Sequence, residues 1–147
     1  NMFALFFFGL VLERTIGSRR FLAVFLITGI LANIVSINFY DSSLGASGAI
    51  FGVIGALIML RPKMIVWAFS LPMPLFVAGI LWAAGDLIGI FMPSNTANIA
   101  HLSGMVFGLV SGLLMRRRFV LATSRQRNPR IEIDESSMRN WEDAYMK

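Results

Sequence analysis

The sequence predicts an all-α fold, a polytopic transmembrane helix bundle, on three observations. Hydrophobic residues make up 56% of the 147-residue chain and charged residues only 14%. With a mean hydropathy of +0.71, the chain is far more apolar than an ordinary soluble domain. The charges are sorted into short clusters between long apolar runs, or fall after Leu114. Four of the runs approach the roughly 17 to 25 residues that carry a helix across the hydrocarbon of a bilayer.

The first apolar run, residues 2–12, is too short to cross and reads as the inner part of a helix whose start precedes Asn1. The chain opens on Asn rather than Met, and no basic stretch with a cleavage site precedes the run. A piece of a longer protein is expected, with no signal peptide in it. Residues 21–40 and 44–60 form the next two spans. Between residues 64 and 93 the apolar stretch is too long for one span and too short for two. Pro72 and Pro74 divide it, since proline has no N–H to donate and disfavours helix at the residue before it. Residues 64–71 are therefore predicted as an interfacial turn or short helix, and residues 75–92 and 98–115 as the remaining spans. The tail that follows is basic through Arg130 and then acidic. Ser136 or Ser137 is placed to cap a short helix with Met138, Trp141 and Tyr145 on one face, resting on the protein itself or on the lipid surface.

Loop charge sets the orientation. Arg14, Arg19 and Arg20 follow the first run, Arg61 and Lys63 the third, and Arg116, Arg117 and Arg118 the last, whereas residues 41–43 and 93–97 contain no basic residue. The basic loops and the C-terminus are thus expected in the cytoplasm and the other two loops outside. The net charge of +5 belongs to this topology, so a lipid bilayer is the expected partner and nucleic acid is not. Without cysteine there is no disulfide, thiolate metal site or thiol nucleophile. No metal and no cofactor is expected, and chemistry must use oxygen or nitrogen.

Ser47, in "LGASGAIFG", and His101, the chain's only histidine, each come about three residues into a span that starts at the outer face. At about 1.5 Å per residue both side chains lie roughly 5 to 10 Å below the outer helix ends. Sharing a depth, they supply the parts of a nucleophile and its general base. Gly48, Gly52 and Ala56 form a small-residue row on one helix, and Gly104, Gly108 and Gly112 on the other, which lets two backbones approach closely. His101 projects from its glycine face, and Ser47 lies at the edge of its own. Taken singly, Ser47 also fits a packing role, bonded back to a carbonyl one turn earlier. An intramembrane histidine points to function by default. Asp86 is the other intramembrane ionisable group; it can pair with His101 or conduct protons, but reads first as a structural anchor to a neighbouring helix. Glu13 and Arg14 suit a local ion pair or carbonyl cap, and Asn33 and Asn38 interhelical hydrogen bonds.

Together these residues resemble the rhomboid family of intramembrane serine proteases. "GASG" at 45–48 matches the family's G-x-S-G motif, and "AHLSGMVFG" at 100–108 its A-H-x-x-G-x-x-x-G motif. The similarity runs from Asn1 to about Arg118. It implies a rhomboid-like transmembrane domain over residues 1–118, N-terminally incomplete, with about five of six core helices, and a cytoplasmic tail over 119–147. It implies a Ser47–His101 catalytic dyad with no obligatory carboxylate. Asn1 would match the Asn of the family's H-x-x-x-N motif and serve, with the Ser47 N–H, as an oxyanion donor. Gly45, Gly48, Phe51, Gly104 and Gly108 would pack around the site. Phe51 stands where many members have Tyr, keeping the ring that packs on the imidazole without its hydroxyl. The histidine of H-x-x-x-N would lie before Asn1. The implied activity is endopeptidase cleavage of membrane proteins at or near a transmembrane segment, in a multi-pass protein of the plasma membrane. The polar run "SNTAN" at 94–98 would form a wet rim, and the segment leading into residues 75–92 a substrate gate. Two rivals stand beside this reading: an inactive rhomboid-like protein that binds transmembrane helices, and a small transporter using Asp86 and His101.

Overall fold

Helical periodicity without internal proline makes each predicted span a helix, and the prolines mark where helix gives way. The computed structural model describes residues 1–39, 45–92, 97–127 and 135–146, with backbone alone for 117–127, 135–138 and 141. The chain opens with α1 (Met2–Ala4), a π-helical turn (Leu5–Gly9) and α2 (Leu10–Ile16), joined end to end through residues in right-handed helical conformation. Gly17, at φ 85°, breaks this rod in a conformation that side chains disfavour. There follow α3 (Ser18–Ser36), α4 (Ser47–Leu60), a hairpin of β1 (Ile65–Ala68) and β2 (Leu71–Pro74), α5 (Leu75–Ile90), α6 (Asn98–Arg127) and α7 (Glu135–Tyr145).

The centre of the bundle is α4, in which nine residues from Gly48 to Leu57 are buried. It is wedged between α3 and α6. A Cβ at Gly48 would meet the Ala32 methyl of α3 at 2.9 Å and the Ala100 carbonyl of α6 at 3.2 Å, and one at Gly52 would collide with Thr28 of α3. Leu12, Val53, Leu57 and Leu75 are fully buried around this centre. Outside it, α3 exposes Leu22, Leu26, Ile30 and Ile34, and α6 exposes Val106, Val110 and Leu113, each by more than half. Such an apolar exterior is stable in lipid and costly in water. Two helical stretches of 19 residues, Ser18–Ser36 and Asn98–Arg116, are long and apolar enough to cross a bilayer, with α4 and α5 as shorter apolar helices. The molecule is a helical membrane bundle.

Several expectations are corrected. Residues 64–71 do not form a turn or short helix; they enter an antiparallel hairpin pairing Ile65 with Pro74 and Ala68 with Leu71. The period there is two: Val66 and Ala68 are buried while Ile65 and Trp67 face out. Pro72 and Pro74, unable to donate to a ladder, sit in a two-stranded sheet where one edge of each strand needs no partner. Phe69 and Ser70, at φ 52° and 62°, close the loop with the two positive angles that such tight hairpins require. The hairpin base also caps α5: Leu75 donates to the Met64 carbonyl at 2.8 Å and Phe76 to that of Pro62 at 3.2 Å.

Elsewhere α3 starts at Ser18 and ends at Ser36, earlier than the expected span at both ends, and α6 stays helical through Arg127 rather than stopping near 115. Ser136 and Ser137 lie inside α7, which begins at Glu135, rather than ahead of its first residue. Asn38, in the turn just past α3, donates back to the Ile34 carbonyl at 2.8 Å rather than to another helix, and Asn33 is exposed. The side chains of Met138 and Trp141, residues 41–43 and most of the "SNTAN" run lie outside the described residues.

Candidate active site

Ser47 is the first residue of α4, not a residue one turn inside it. The turn into the helix is set by Gly45, at φ 150°, a conformation closed to side chains in practice, and by Ala46 as N-cap. The consequence is chemical. Thr15, Thr28, Ser103 and Ser111 each donate to the carbonyl four residues earlier, at 2.7 to 2.8 Å. Ser47 has no helical carbonyl one turn back to reach, and it shares no hydrogen bond with His101 among the described residues. Its backbone N–H belongs to the first turn, whose N–H groups have no intrahelical acceptor and carry the positive end of the helix dipole.

The two small-residue rows meet in a constant register. A Cβ at Gly104 would fall on the Gly48 carbonyl, one at Gly108 on that of Gly52, and one at Gly112 within 2.7 Å of that of Ala56. Glycine is obligatory here because backbone touches backbone. This register places Ala100 against Gly48, and so the residues preceding His101 and following Ser47 are in contact.

His101 is held on two sides. Its ring stacks on Phe51 of α4, with centroids 4.3 Å apart and planes 4° from parallel. Phe51 follows Ser47 by one helical turn, so the two share a face of α4. The imidazole Nδ1 lies 3.0 Å from Asp86 Oδ1, with the side chains only 13% and 11% exposed. Beside this pair, Gly89 accommodates Asn98, whose side-chain nitrogen would stand 2.6 Å from a Cβ at 89. Because α5 and α6 run antiparallel, Gly89 with Asn98 and Asp86 with His101 are successive rungs of one packing contact.

The structure thus brings together His101, Phe51, Gly48, Gly104 and Gly108, sets Gly45 at the turn into Ser47, and adds Asp86. Asn1 is exposed; its backbone carbonyl accepts from Leu5 at 2.9 Å, and its side chain makes no cap hydrogen bond. No hydrogen bond joins the Asn1 side chain to Ser47 or His101 among the described residues. Asp86, first read as an anchor, is the partner that sequence reasoning underrated. Asp86 stands four residues before the end of α5 as His101 stands three after the start of α6, so the two share a level once α5 packs antiparallel on α6. Among the described residues no group of acidic and histidine side chains is arranged to hold a metal ion.

A glycine-sealed helical membrane bundle that pairs a largely buried histidine with a carboxylate, one helical turn from the start of α4, defines a class: helical membrane proteins with ionisable side chains packed between their helices. The Rhomboid domain model matches residues 1–118. The chain belongs to the rhomboid family. It is 34% identical over 131 residues to RHOMBOID-like protein 4 of Arabidopsis thaliana, covering 87% of this chain and 32% of that protein. It is 31% identical over 118 residues to the rhomboid protease GlpG of Haemophilus influenzae, covering 78% and 59%. With the presenilin-associated rhomboid-like protein of human mitochondria it shares 33% identity over 122 residues, covering 74% and 31%. The chain therefore spans about a third to three fifths of these relatives. No solved structure matches it.

Proposed function

We propose that this chain carries the active site of an intramembrane serine endopeptidase, with Ser47 as nucleophile and His101 as general base. The observation that carries the proposal is the stack of His101 on Phe51, one turn below Ser47, on two helices locked by their glycine rows. Asp86 engages Nδ1, and Nε2 is the ring nitrogen without a hydrogen bond among the described residues. That nitrogen takes the Ser47 proton as Oγ attacks the scissile carbonyl carbon. The tetrahedral intermediate collapses with loss of the amine, which receives the same proton from Nε2. Water, deprotonated by His101, then releases the acyl group and restores Ser47.

The oxyanion needs donors, and the Ser47 N–H at the helix start is one. The Asn1 side chain is the second, by the family resemblance. Asn1→Ala is expected to slow turnover roughly 10²- to 10³-fold with binding little changed, measured as kcat and KM on a transmembrane substrate. The 14 residues of α4 extend only about 21 Å, against roughly 30 Å of hydrocarbon. With Arg61 and Lys63 at the cytoplasmic boundary, Ser47 ends about 9 Å short of the outer one, within reach of water from outside. The C-terminus then lies in the cytoplasm of a plasma-membrane protein, residues 1–118 form the membrane domain and 119–147 the tail. Substrates are membrane proteins cleaved within or beside a transmembrane segment.

Labelling of the full protein by a serine-reactive fluorophosphonate tests the reading. Labelling that vanishes in both Ser47→Ala and His101→Ala is expected. Labelling unchanged in Ser47→Ala would falsify it and leave a rhomboid-like protein that binds transmembrane helices without cutting them.

A further inference from the structure

Asp86 is a buried carboxylate for which a Ser–His dyad has no task. Its Oδ1 meets His101 Nδ1, while Oδ2 is buried with no hydrogen-bond partner among the described residues. A structural anchor would commit both oxygens to donors, because an unsatisfied carboxylate oxygen inside a membrane protein is costly. Here the single bond made is to the proposed base.

The stack on Phe51 fixes the plane of the imidazole but is indifferent to a half-turn of the ring about its Cβ–Cγ bond, and to which nitrogen carries the proton. The bond to Asp86 removes both ambiguities. A carboxylate accepts and cannot donate when ionised, so Nδ1 carries the hydrogen and Nε2 presents a lone pair. The antiparallel packing of Gly89 on Asn98 holds α5 at the height this requires.

Building on the reading of Ser47 and His101 as nucleophile and base, we propose that Asp86 is a positioning residue that makes this dyad work as a triad. It holds His101 in the tautomer with Nδ1 protonated and Nε2 bare, and it stabilises the imidazolium formed when the Ser47 proton arrives at Nε2. No proton passes to Asp86, which accepts the Nδ1–H throughout.

The test uses full-length protein reconstituted in lipid. Nitrogen-15 NMR of histidine-labelled protein, with the His101 signals assigned by difference against His101→Ala, reads the tautomer directly. The wild type is expected to show protonated Nδ1 and unprotonated Nε2, and Asp86→Asn, which keeps the volume, to shift the population toward protonated Nε2. On a transmembrane substrate Asp86→Asn is expected to lower kcat by about 10²- to 10⁴-fold with KM within about twofold. A wild-type spectrum with Nε2 protonated overturns the proposal without any variant having to fold. So does an Asp86→Asn protein with a lower melting temperature but unchanged kcat, the signature of an anchor. Should Ser47→Ala cleave as fast as wild type, the nucleophile assignment fails, while the spectrum still decides whether Asp86 sets the tautomer.

Discussion

Helix α6 packs on α3, α4 and α5, and meets the last two in different ways. Against α4 it lies backbone on backbone, with Gly104, Gly108 and Gly112 seated on successive carbonyls along three turns. Against α5 it relies on side chains at one end, Asp86 with His101 and Asn98 over Gly89. Burial follows the same division: nine buried residues along α4, but only Leu75, Ala78 and Gly79 in α5, all in its first turns beside the hairpin. The α4–α6 pair is a platform with no slack, whereas the far half of α5 is largely exposed, with Trp82 and Ala83 packed on the core and Asp86 making a polar contact to α6. The close-packed seam lies under the proposed nucleophile and base, and the looser contact belongs to the helix that carries Asp86.

The largest expected effect separates chemistry from packing on the platform. Ser47→Ala should lower cleavage by at least roughly 10⁴-fold while leaving the melting temperature within a degree or two, measured on the reconstituted protein. Next, Gly108→Leu should destabilise the fold by about 3 kcal/mol or more, since its side chain has only the Gly52 carbonyl to occupy. Thermal unfolding would reveal it, and a Gly108→Leu protein as stable as wild type would break the platform description. At the α5 contact, Gly89→Ala should displace the Asn98 side chain, a change of about 1 kcal/mol, read as a roughly fivefold loss of kcat with little change in melting temperature. The smallest effect belongs to the lipid face. Leu87→Ala, next to Asp86 but 54% exposed, should change stability by no more than about 0.5 kcal/mol and leave kcat alone.

Much of this was legible in the residues. The small-residue rows gave the α4–α6 seam because glycine at every fourth position has few other uses in an apolar helix. The place of His101 near the start of its helix was legible as well, and the packing of Phe51 on its imidazole followed from the family resemblance. The hairpin at 65–74 was not: a short apolar stretch broken by prolines reads equally as turn, strand or helix until it is known which residues the core will bury. The start of α4 at Ser47 rather than Leu44 was hidden for a related reason, since the conformation of Gly45 is a backbone choice that composition does not announce. Asp86 was visible as an intramembrane charge, but its partner depends on how α5 tilts against α6, which tertiary packing alone decides.

The seam has an electrical consequence too. From Gly48 to Leu60 in α4, from Leu102 to Met115 in α6 and from Leu75 to Gly85 in α5 there is no ionisable side chain, and where α4 and α6 touch there is no gap for a file of water. His101 and Asp86, at one end of α6 and α5, therefore have no relay of ionisable side chains along these helices toward the other end. Along that length the seam offers packing alone, with no ionisable side chain to pass a proton on.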